Sequence, residues 1–520
     1  MKLEADLVVL NANVVTMDPA QPEATALAVK NYKFLAVGTD EDMEELVPTA
    51  RRVIDLGGKT VIPGIVDAHT HITAAGLRSA DIDLSSAKSL GDAKRMISAS
   101  LMRYRMGQWV RAYGWDESKW PEKRYLTASD LDDISREMPI VADRVDGHLT
   151  SVNTAALERL KISPEQEGFL KDSEGRPTGV LRDIEGVHDA IIHTPEEMEE
   201  GIRRATRLAN SHGMTTVVDN ISPGVLRYIR ECEARNELTA RFVVNVPDSQ
   251  LVHLTSLGVT SGMGTPLVKI GGVKIFADGS IGARTAALSE PYRDEPGNLG
   301  RLMMSGKKLA QLVKKAVHGG IQTAIHAIGD AAIELVIKTF EEMTDKEKEL
   351  VRRQRHRIEH AEMISEDQIR RAAALRLILS MQPNFVGNWQ QPGGLYEERL
   401  GEERVRGMNM FKVALENGAR ICFGSDGMPY GPLYGIWSAV TCDNYRVRIG
   451  VEQALRCYTM EAAFASHVED IVGSITVGKR ADFVVLSQNI MKAQPEDVRD
   501  IVVENTFVGG NEEFAAIKNR

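Results

Sequence analysis

Residues 61–71 read Val61-Ile62-Pro63-Gly64-Ile65-Val66-Asp67-Ala68-His69-Thr70-His71. The β-forming run Val61–Val66 is predicted as a buried strand, and polar residues follow it at once. His69 and His71 lie two residues apart, so on a strand their side chains point to the same face. Two imidazoles that converge from one strand end make half of a metal site. The stretch therefore predicts a strand whose carboxyl end binds metal.

Strand-like and helix-like segments alternate downstream of this stretch, which predicts a parallel sheet with crossover helices. Eight such units over about 400 residues indicate an α/β protein with a (β/α)₈ barrel. The predicted strands are Val61–Val66, Met214–Val218, Arg241–Val246, Val268–Phe276, Ile321–Ile325, His356–Glu359, Leu377–Met381 and Arg420–Phe423. The predicted helices include Glu197–Ser211, Lys307–His318, Ala331–Glu342, Glu366–Ala374 and Met408–Asn417.

The barrel is assigned to residues 61–469, which is oversized because a large insertion follows the first strand. The insertion, at about residues 73–195, contains Trp109, Trp115 and Trp120. Loops after barrel strands lie on the catalytic face, so we expect this insertion to cover the active site. The tryptophans are expected to form the core of the insertion.

Both chain ends are rich in short β-forming runs separated by turn residues, among them Ala5–Leu10, Ala481–Leu486 and Ile501–Val508. Isolated hairpins are marginally stable in water. Residues 1–60 and 470–520 are therefore predicted to form one small composite β-sandwich. Hydrophobic strands at both ends also hint at a homo-oligomer.

The composition excludes several classes of protein. The chain has 63 Lys and Arg against 73 Asp and Glu, a formal net charge of −10, so nucleic acid is not expected as a partner. A small-molecule substrate is expected instead. The N-terminus, Met1–Asp6, has no signal-peptide core, no apolar run is long enough to span a membrane, and the four cysteines form no CxxC pair. A soluble cytoplasmic protein is expected.

Three more polar residues stand where barrel strands should end: His326 after strand five, His360 after strand six and Asp426 after strand eight. The carboxyl ends of barrel strands meet at one rim, so we expect these side chains to approach His69 and His71. Imidazole and carboxylate ligands suit Zn²⁺ or a similar ion. The pattern therefore predicts a divalent metal centre.

Lys274 lies in the apolar strand four, where burying an unpaired ammonium group is costly. One solution is an ion pair with a carboxylate such as Asp278. Another is a carbamate formed with CO₂, an anion that can bridge two metal ions. Lys269 shares the strand and is the rival position for this role.

Together these motifs resemble the amidohydrolase superfamily, specifically amidohydrolase family 3, which includes N-substituted formamide deformylases. The resemblance runs nearly from end to end, and it implies a barrel with a composite β-sandwich and a centre of one or two metals. Besides residues 61–71, it is carried by Asp146-Gly147-His148, Gly175–Leu181, Val273–Ala287, His326–Asp330, Ile358–Ala361, Gly424–Asp426 and Gly473–Leu486.

The resemblance also implies roles for individual residues. His69 and His71 would bind the more buried metal and His326 and His360 the second. Carboxylated Lys274 would bridge the two ions, and Asp426 would bind metal and handle protons.

The expected reaction is hydrolysis of an amide- or formamide-type C–N bond, linear or cyclic. Metal coordination lowers the pKa of bound water toward about 7 and polarises the scissile carbonyl. Asp426 would take the water proton and return it to the leaving amine. His148 is the candidate donor to the developing oxyanion, with a structural histidine as the alternative reading.

Other functions stay open at this point. They are a one-metal aminoheterocycle deaminase, a decarboxylase or isomerase on the same scaffold, and a scaffold without metal. After Asp426 the chain reads Gly427-Met428-Pro429-Tyr430-Gly431-Pro432, where many relatives have a shorter Ala-Pro pattern. Residues past strand eight line the pocket, so the substrate stays open too.

Overall fold

The structure, a computed structural model, describes residues 4–516 except 145–148, 164, 167, 183, 185–186 and 188–192. The chain forms two compact units. One comprises Met1–Ala75 with Ile202–Arg520, and the other comprises Gly76–Gly201. His148, the predicted oxyanion donor, lies outside the described residues.

The larger unit contains a near-closed barrel of eight parallel strands that are hydrogen-bonded in chain order, as the alternating pattern predicts. The first and eighth strands meet where the backbone N–H of Asp426 donates to the His69 carbonyl at 2.9 Å. The strands are Ile65–Thr70, Met214–Asn220, Arg241–Pro247, Val268–Phe276, Gln322–Ala327, Arg357–His360, Ile378–Met381 and Arg420–Phe423. The predicted barrel fold is confirmed.

The predicted first strand is wrong in its bounds, because Val61–Val66 is divided between two sheets. Thr60–Pro63 pairs with Phe483–Leu486 in the sandwich, and Ile65–Thr70 begins the barrel. Gly64 lies at the change from one sheet to the other. A Cβ atom at this position would collide with the Thr215 side chain, so the close approach of the two segments requires glycine.

Helices connect the barrel strands. The predicted helix Met408–Asn417 begins only at Phe411, because Asn409 adopts φ 50° and its N–H donates to the Glu362 carbonyl at 2.8 Å. The α-helices of the larger unit are Val225–Ala234, Leu251–Ser256, Gly306–Gly319, Asp330–Glu341, Asp345–Gln354, Glu366–Ala374, Pro383–Trp389, Leu395–Leu400, Glu402–Arg406, Phe411–Glu416, Pro432–Thr441, Val451–Cys457 and Met460–Ala465, and both Ile72–Arg78 and Pro195–Ser211 cross the boundary between the units. None of the helices in the described ranges is both long and apolar enough to cross a bilayer.

Strands from both chain ends build one sandwich, as predicted. Its core joins Phe34 of the N-terminal segment to Phe483 and Phe507 of the C-terminal segment, and the last two rings stack at 4.3 Å. One sheet comprises Leu7–Leu10, Ala26–Lys30, Lys33–Gly38 and Val53–Asp55. The other comprises Asn13–Val15, Glu23–Ala24, Thr60–Pro63, Phe483–Leu486, Val503–Val508 and Asn511–Ala515.

The smaller unit has a core of its own, in which Trp115 and Trp120 are fully buried. Their indole N–H groups donate to the carbonyls of Ala142 and Ala87 at 2.9 and 3.0 Å. Its strands are Ile82–Asp83, Val110–Trp115, Ile140–Arg144, Leu149–Val152, Phe169–Lys171 and Pro177–Arg182, and its α-helices are Leu90–Ser100, Ala128–Asp132 and Thr154–Leu160.

A buried ion pair links the sandwich to the barrel. Arg241, on the third barrel strand, donates from Nε and Nη2 to both carboxylate oxygens of Asp482 at 2.7 and 2.8 Å. The Gly509 N–H also donates to this carboxylate at 2.7 Å. Removal of the acid would leave a guanidinium group buried without its charge partner, which is strongly destabilising.

We expect Asp482→Ala to lower the free energy of unfolding by about 3–5 kcal/mol, because it leaves the buried Arg241 guanidinium group without a counter-charge. The midpoint of thermal unfolding measures this. The control is Glu349→Ala, which breaks the exposed pair with Arg353 and should cost about 0–1 kcal/mol. Equal midpoints for the two variants would contradict the structural role of the buried pair.

Candidate metal centre

The carboxyl ends of the first, fourth and eighth barrel strands bring four of the predicted site residues together. Nε2 of His69 lies 3.2 Å from Nζ of Lys274 and 3.6 Å from Oδ1 of Asp426. Nε2 of His71 lies 3.3 Å from the same carboxylate oxygen. One donor atom each from His69, His71 and Asp426 lies within 4.8 Å of the other two, so this group could hold a metal ion.

His326 and His360 complete the rim. Their ring centroids are 4.4 Å apart, and the His360 ring lies 4.9 Å from the His69 ring. The carbonyl of Gly279 lies 3.0 Å from Nε2 of His326, and if this nitrogen donates to it, Nδ1 of the neutral ring is left as an acceptor. Nδ1 of His360 is buried and has no hydrogen-bond partner among the described residues.

Two of the site residues adopt a backbone conformation that is rare for residues other than glycine. His360 has φ 70° and Asp426 has φ 56°, both in the left-handed region. Such residues concentrate at functional sites, where the surrounding structure offsets their strain. Here the turn at the end of each strand directs the side chain to the rim.

A buried chain of polar side chains orients His69. Nδ1 of His69 contacts the carboxylate of Glu359, and Arg357 donates from Nε and Nη2 to both oxygens of that carboxylate at 2.7 and 2.9 Å. Nη2 of Arg357 also donates to the Ala68 carbonyl at 2.6 Å and to Oγ of Ser380 at 2.9 Å. A carboxylate behind a ligating imidazole fixes its tautomer and orientation.

Asp67 holds the ends of the first and eighth strands together. Its carboxylate accepts from the N–H of Ser425 at 3.0 Å, from Oγ of Ser425 at 2.6 Å and from the N–H of His69 at 3.2 Å. Burial raises the pKa of Asp67 to about 7. No role was predicted from the sequence for Asp67, Arg357 or Glu359, although all three lie in the motifs that end strands one and six.

The electrostatics favour neutral imidazoles. Burial, followed by the charge of Lys274, lowers the pKa of His71 to about 4 and of His326 to about 3. Burial also keeps the pKa of His69 and of His360 well below the ordinary range. Neutral imidazole is the form that binds metal ions. The donor set, the unpartnered nitrogen of His360 and the carboxylate behind His69 therefore fit a divalent cation.

The pKa values of Lys274 and Asp426 are shifted in opposite directions. Burial lowers the pKa of Lys274, against the carboxylates of Glu359 and Asp426. Burial raises the pKa of Asp426, against the charge of Lys274. Each group is thus displaced toward its neutral form.

Comparison with known proteins gives full-length matches. The model of a family described as the amidohydrolase family matches residues 52–512. The chain is 30% identical over 539 residues to Protein LONG AFTER FAR-RED 3 of Arabidopsis thaliana, covering 98% of this chain and 91% of that one. It is 27% identical over 544 residues to N-substituted formamide deformylase of Arthrobacter pascens, covering 97% of each chain.

A solved structure also matches. The crystal structure of an uncharacterized metal-dependent hydrolase from Pyrococcus horikoshii OT3 superposes with a TM-score of 0.82 at 28% sequence identity. The match covers 94% of this chain and 99% of the other. The likeness therefore includes the barrel, the sandwich and the smaller unit.

We expect Glu359→Gln to weaken Zn²⁺ binding about 10–100-fold, because the amide no longer balances Arg357 or fixes His69. Competition with a chromophoric chelator measures the affinity. Glu402→Gln, which alters an exposed pair with Arg406, is the control and should bind Zn²⁺ like the unmodified protein. Unchanged affinity in Glu359→Gln would rule out this orienting role.

Proposed function

The chain belongs to amidohydrolase family 3 and is a metal-dependent hydrolase of that superfamily, and from this premise we propose that it hydrolyses an amide- or formamide-type C–N bond of a small molecule. The observation that carries the proposal is the position of Lys274. Its ammonium group is buried at the rim, 3.2 Å from Nε2 of His69, and no carboxylate of the described residues lies at hydrogen-bond distance from it.

Lys274 suits a carbamate better than an ion pair. In that step the neutral amine attacks CO₂, the Nζ–C bond forms and one proton leaves to solvent. The product is an anion with two oxygen atoms beside His69. It removes the cation from a cluster of imidazoles and adds the ligand that a two-metal centre requires. A bridged pair of metals favours amide hydrolysis over the one-metal deaminase chemistry.

His69, His71 and Asp426 would hold one divalent ion, and His326 and His360 with carboxylated Lys274 would hold a second. The donor types suit Zn²⁺. Such an ion, when bound, acidifies water and polarises a carbonyl oxygen. Asp426 would accept a proton from the attacking water and return it to the leaving nitrogen.

An apolar surface next to the site supports a substrate with an apolar substituent. Phe276, at the end of the fourth strand, is 47% exposed, and its ring lies 5.0 Å from Nζ of Lys274 and 5.2 Å from the His326 ring. Met303 is 45% exposed, and its N–H donates to the Ala277 carbonyl at 2.8 Å. The polar centre would bind the formamide group and the exposed apolar side chains would contact its substituent. This arrangement supports an N-substituted formamide, the substrate class in the name of the Arthrobacter relative.

A one-metal aminoheterocycle deaminase is the second candidate. In the described residues, the metal-capable group contains His69, His71 and Asp426 but neither His326 nor His360. A single ion bound there would leave Lys274 an ordinary buried lysine.

Turnover by the Zn²⁺-loaded protein tests the two candidates directly. We expect release of amine and formate from N-benzylformamide, and no release of ammonia from cytosine. Phe276→Ala should raise KM for N-benzylformamide at least about tenfold, through the lost apolar contact, and leave N-methylformamide nearly unchanged. Leu257→Ala, which alters another exposed apolar residue, is the control. Turnover of aminoheterocycles alone would refute amide hydrolysis.

The carbamate has a separate test. With ¹³C-bicarbonate, carbon NMR of the metal-loaded protein should show a carbamate signal that is absent from Lys274→Ala. Lys269→Ala is the matched control and should keep the signal, because Lys269 donates to the Gly262 carbonyl at 2.8 Å instead. A signal that persists in Lys274→Ala would place the modification elsewhere.

A further inference from the structure

The loop after the eighth strand folds back over the site. The N–H of Met428 donates to the Ser425 carbonyl at 3.2 Å, which closes a turn directly after Asp426. Gly427 at φ 87° and Gly431 at φ 134° bound this loop, and both angles favour glycine. The turn returns Tyr430 toward the backbone of Asp426.

Tyr430 lies against Gly427. A Cβ atom on Gly427 would lie 2.5 Å from Cζ and 2.7 Å from the hydroxyl oxygen of Tyr430, so only glycine leaves room for the phenol. The hydroxyl is thereby held beside the residue that follows Asp426, at the rim where the predicted ligands meet.

Asn384 fixes the loop on both sides of Tyr430. This fully buried side chain donates from Nδ2 to the carbonyls of Pro429 and Gly431 at 2.8 and 3.2 Å. Its Oδ1 accepts from the hydroxyl of Tyr458, also fully buried, at 2.9 Å. The buried side chains of Asn384 and Tyr458 thus fix the position of the loop that contains the half-buried Tyr430.

The Tyr430 hydroxyl accepts a hydrogen bond from the backbone N–H of His71, and no acceptor among the described residues takes the proton of the hydroxyl itself. Tyr430 is half-buried, and burial is the main cause that raises the pKa of its phenol above the ordinary value. A phenol keeps its proton at neutral pH and can therefore donate a hydrogen bond to a bound molecule.

We propose that Tyr430 is a catalytic residue whose hydroxyl donates a hydrogen bond to the substrate oxygen as it becomes negative during hydrolysis of the C–N bond. Asn384 and Tyr458 are positioning residues in this proposal, which rests on the proposed function. The proton stays on Tyr430 throughout, and the bond stabilises developing charge in a largely desolvated site.

The test begins with Tyr430→Phe in the full-length, Zn²⁺-loaded protein. Its metal content should equal that of the unmodified protein. For N-benzylformamide, kcat should fall about 10²–10³-fold while KM changes less than about threefold. Tyr445→Phe, at an exposed tyrosine, is the matched control and should keep the full rate. An unchanged kcat in Tyr430→Phe would overturn the assignment.

The positioning role has its own readout. Asn384→Ala should lower kcat in the unmodified protein but have little further effect in the Tyr430→Phe background. Additive losses in the double variant would show that Asn384 does not act through Tyr430.

A binding measurement separates this proposal from the proposed function. Titration calorimetry with N-benzyl phosphonamidate, a tetrahedral analogue of N-benzylformamide, needs no turnover. Tyr430→Phe should bind it at least about tenfold more weakly than the unmodified protein. Equal affinities, with normal turnover in the unmodified protein, would overturn the role of Tyr430 alone. Neither turnover nor analogue binding in the unmodified protein would overturn the proposed function and Tyr430 with it.

Discussion

The barrel depends on an ion pair buried completely inside it, between Arg357 and Glu359. An unpaired charge in this position would cost several kcal/mol, so each group requires the other. The pair lies on strand six, and its remaining hydrogen bonds reach Ala68 and His69 on strand one and Ser380 on strand seven. One electrostatic requirement therefore connects three strands and orients a histidine of the proposed metal centre.

Close packing also constrains the backbone around the site. Gly424 packs against the His69 backbone, where a Cβ would collide, and Gly427 leaves room for Tyr430. His360 and Asp426 accept left-handed backbone angles at the ends of their strands. Burial of the site keeps its imidazoles neutral, which prepares them for a cation. Structure and electrostatics thus point to the same chemistry, a metal centre at the rim.

Local patterns explain what could be predicted from the sequence. Alternating strands and helices indicate the barrel, and polar residues at strand ends indicate the rim, so His69, His71 and Asp426 were found together. Gly64 was missed because Val61–Val66 is one apolar run, and the change of sheet depends on Thr215, far along the chain. Glu359 was missed because its partner His69 is 290 residues away in sequence. The place of Tyr430 depends on Asn384 and Tyr458, which no local pattern connects to it.

We expect the strand-end histidines and Asp426 to bind divalent metal. Metal content per chain tests it most directly, measured by mass spectrometry on protein purified without chelator or affinity-tag metal. We expect two equivalents of metal per chain, for which carboxylated Lys274 would supply a shared ligand. Protein that contains no metal and takes up no Zn²⁺ on titration would show that these side chains do not form a metal centre.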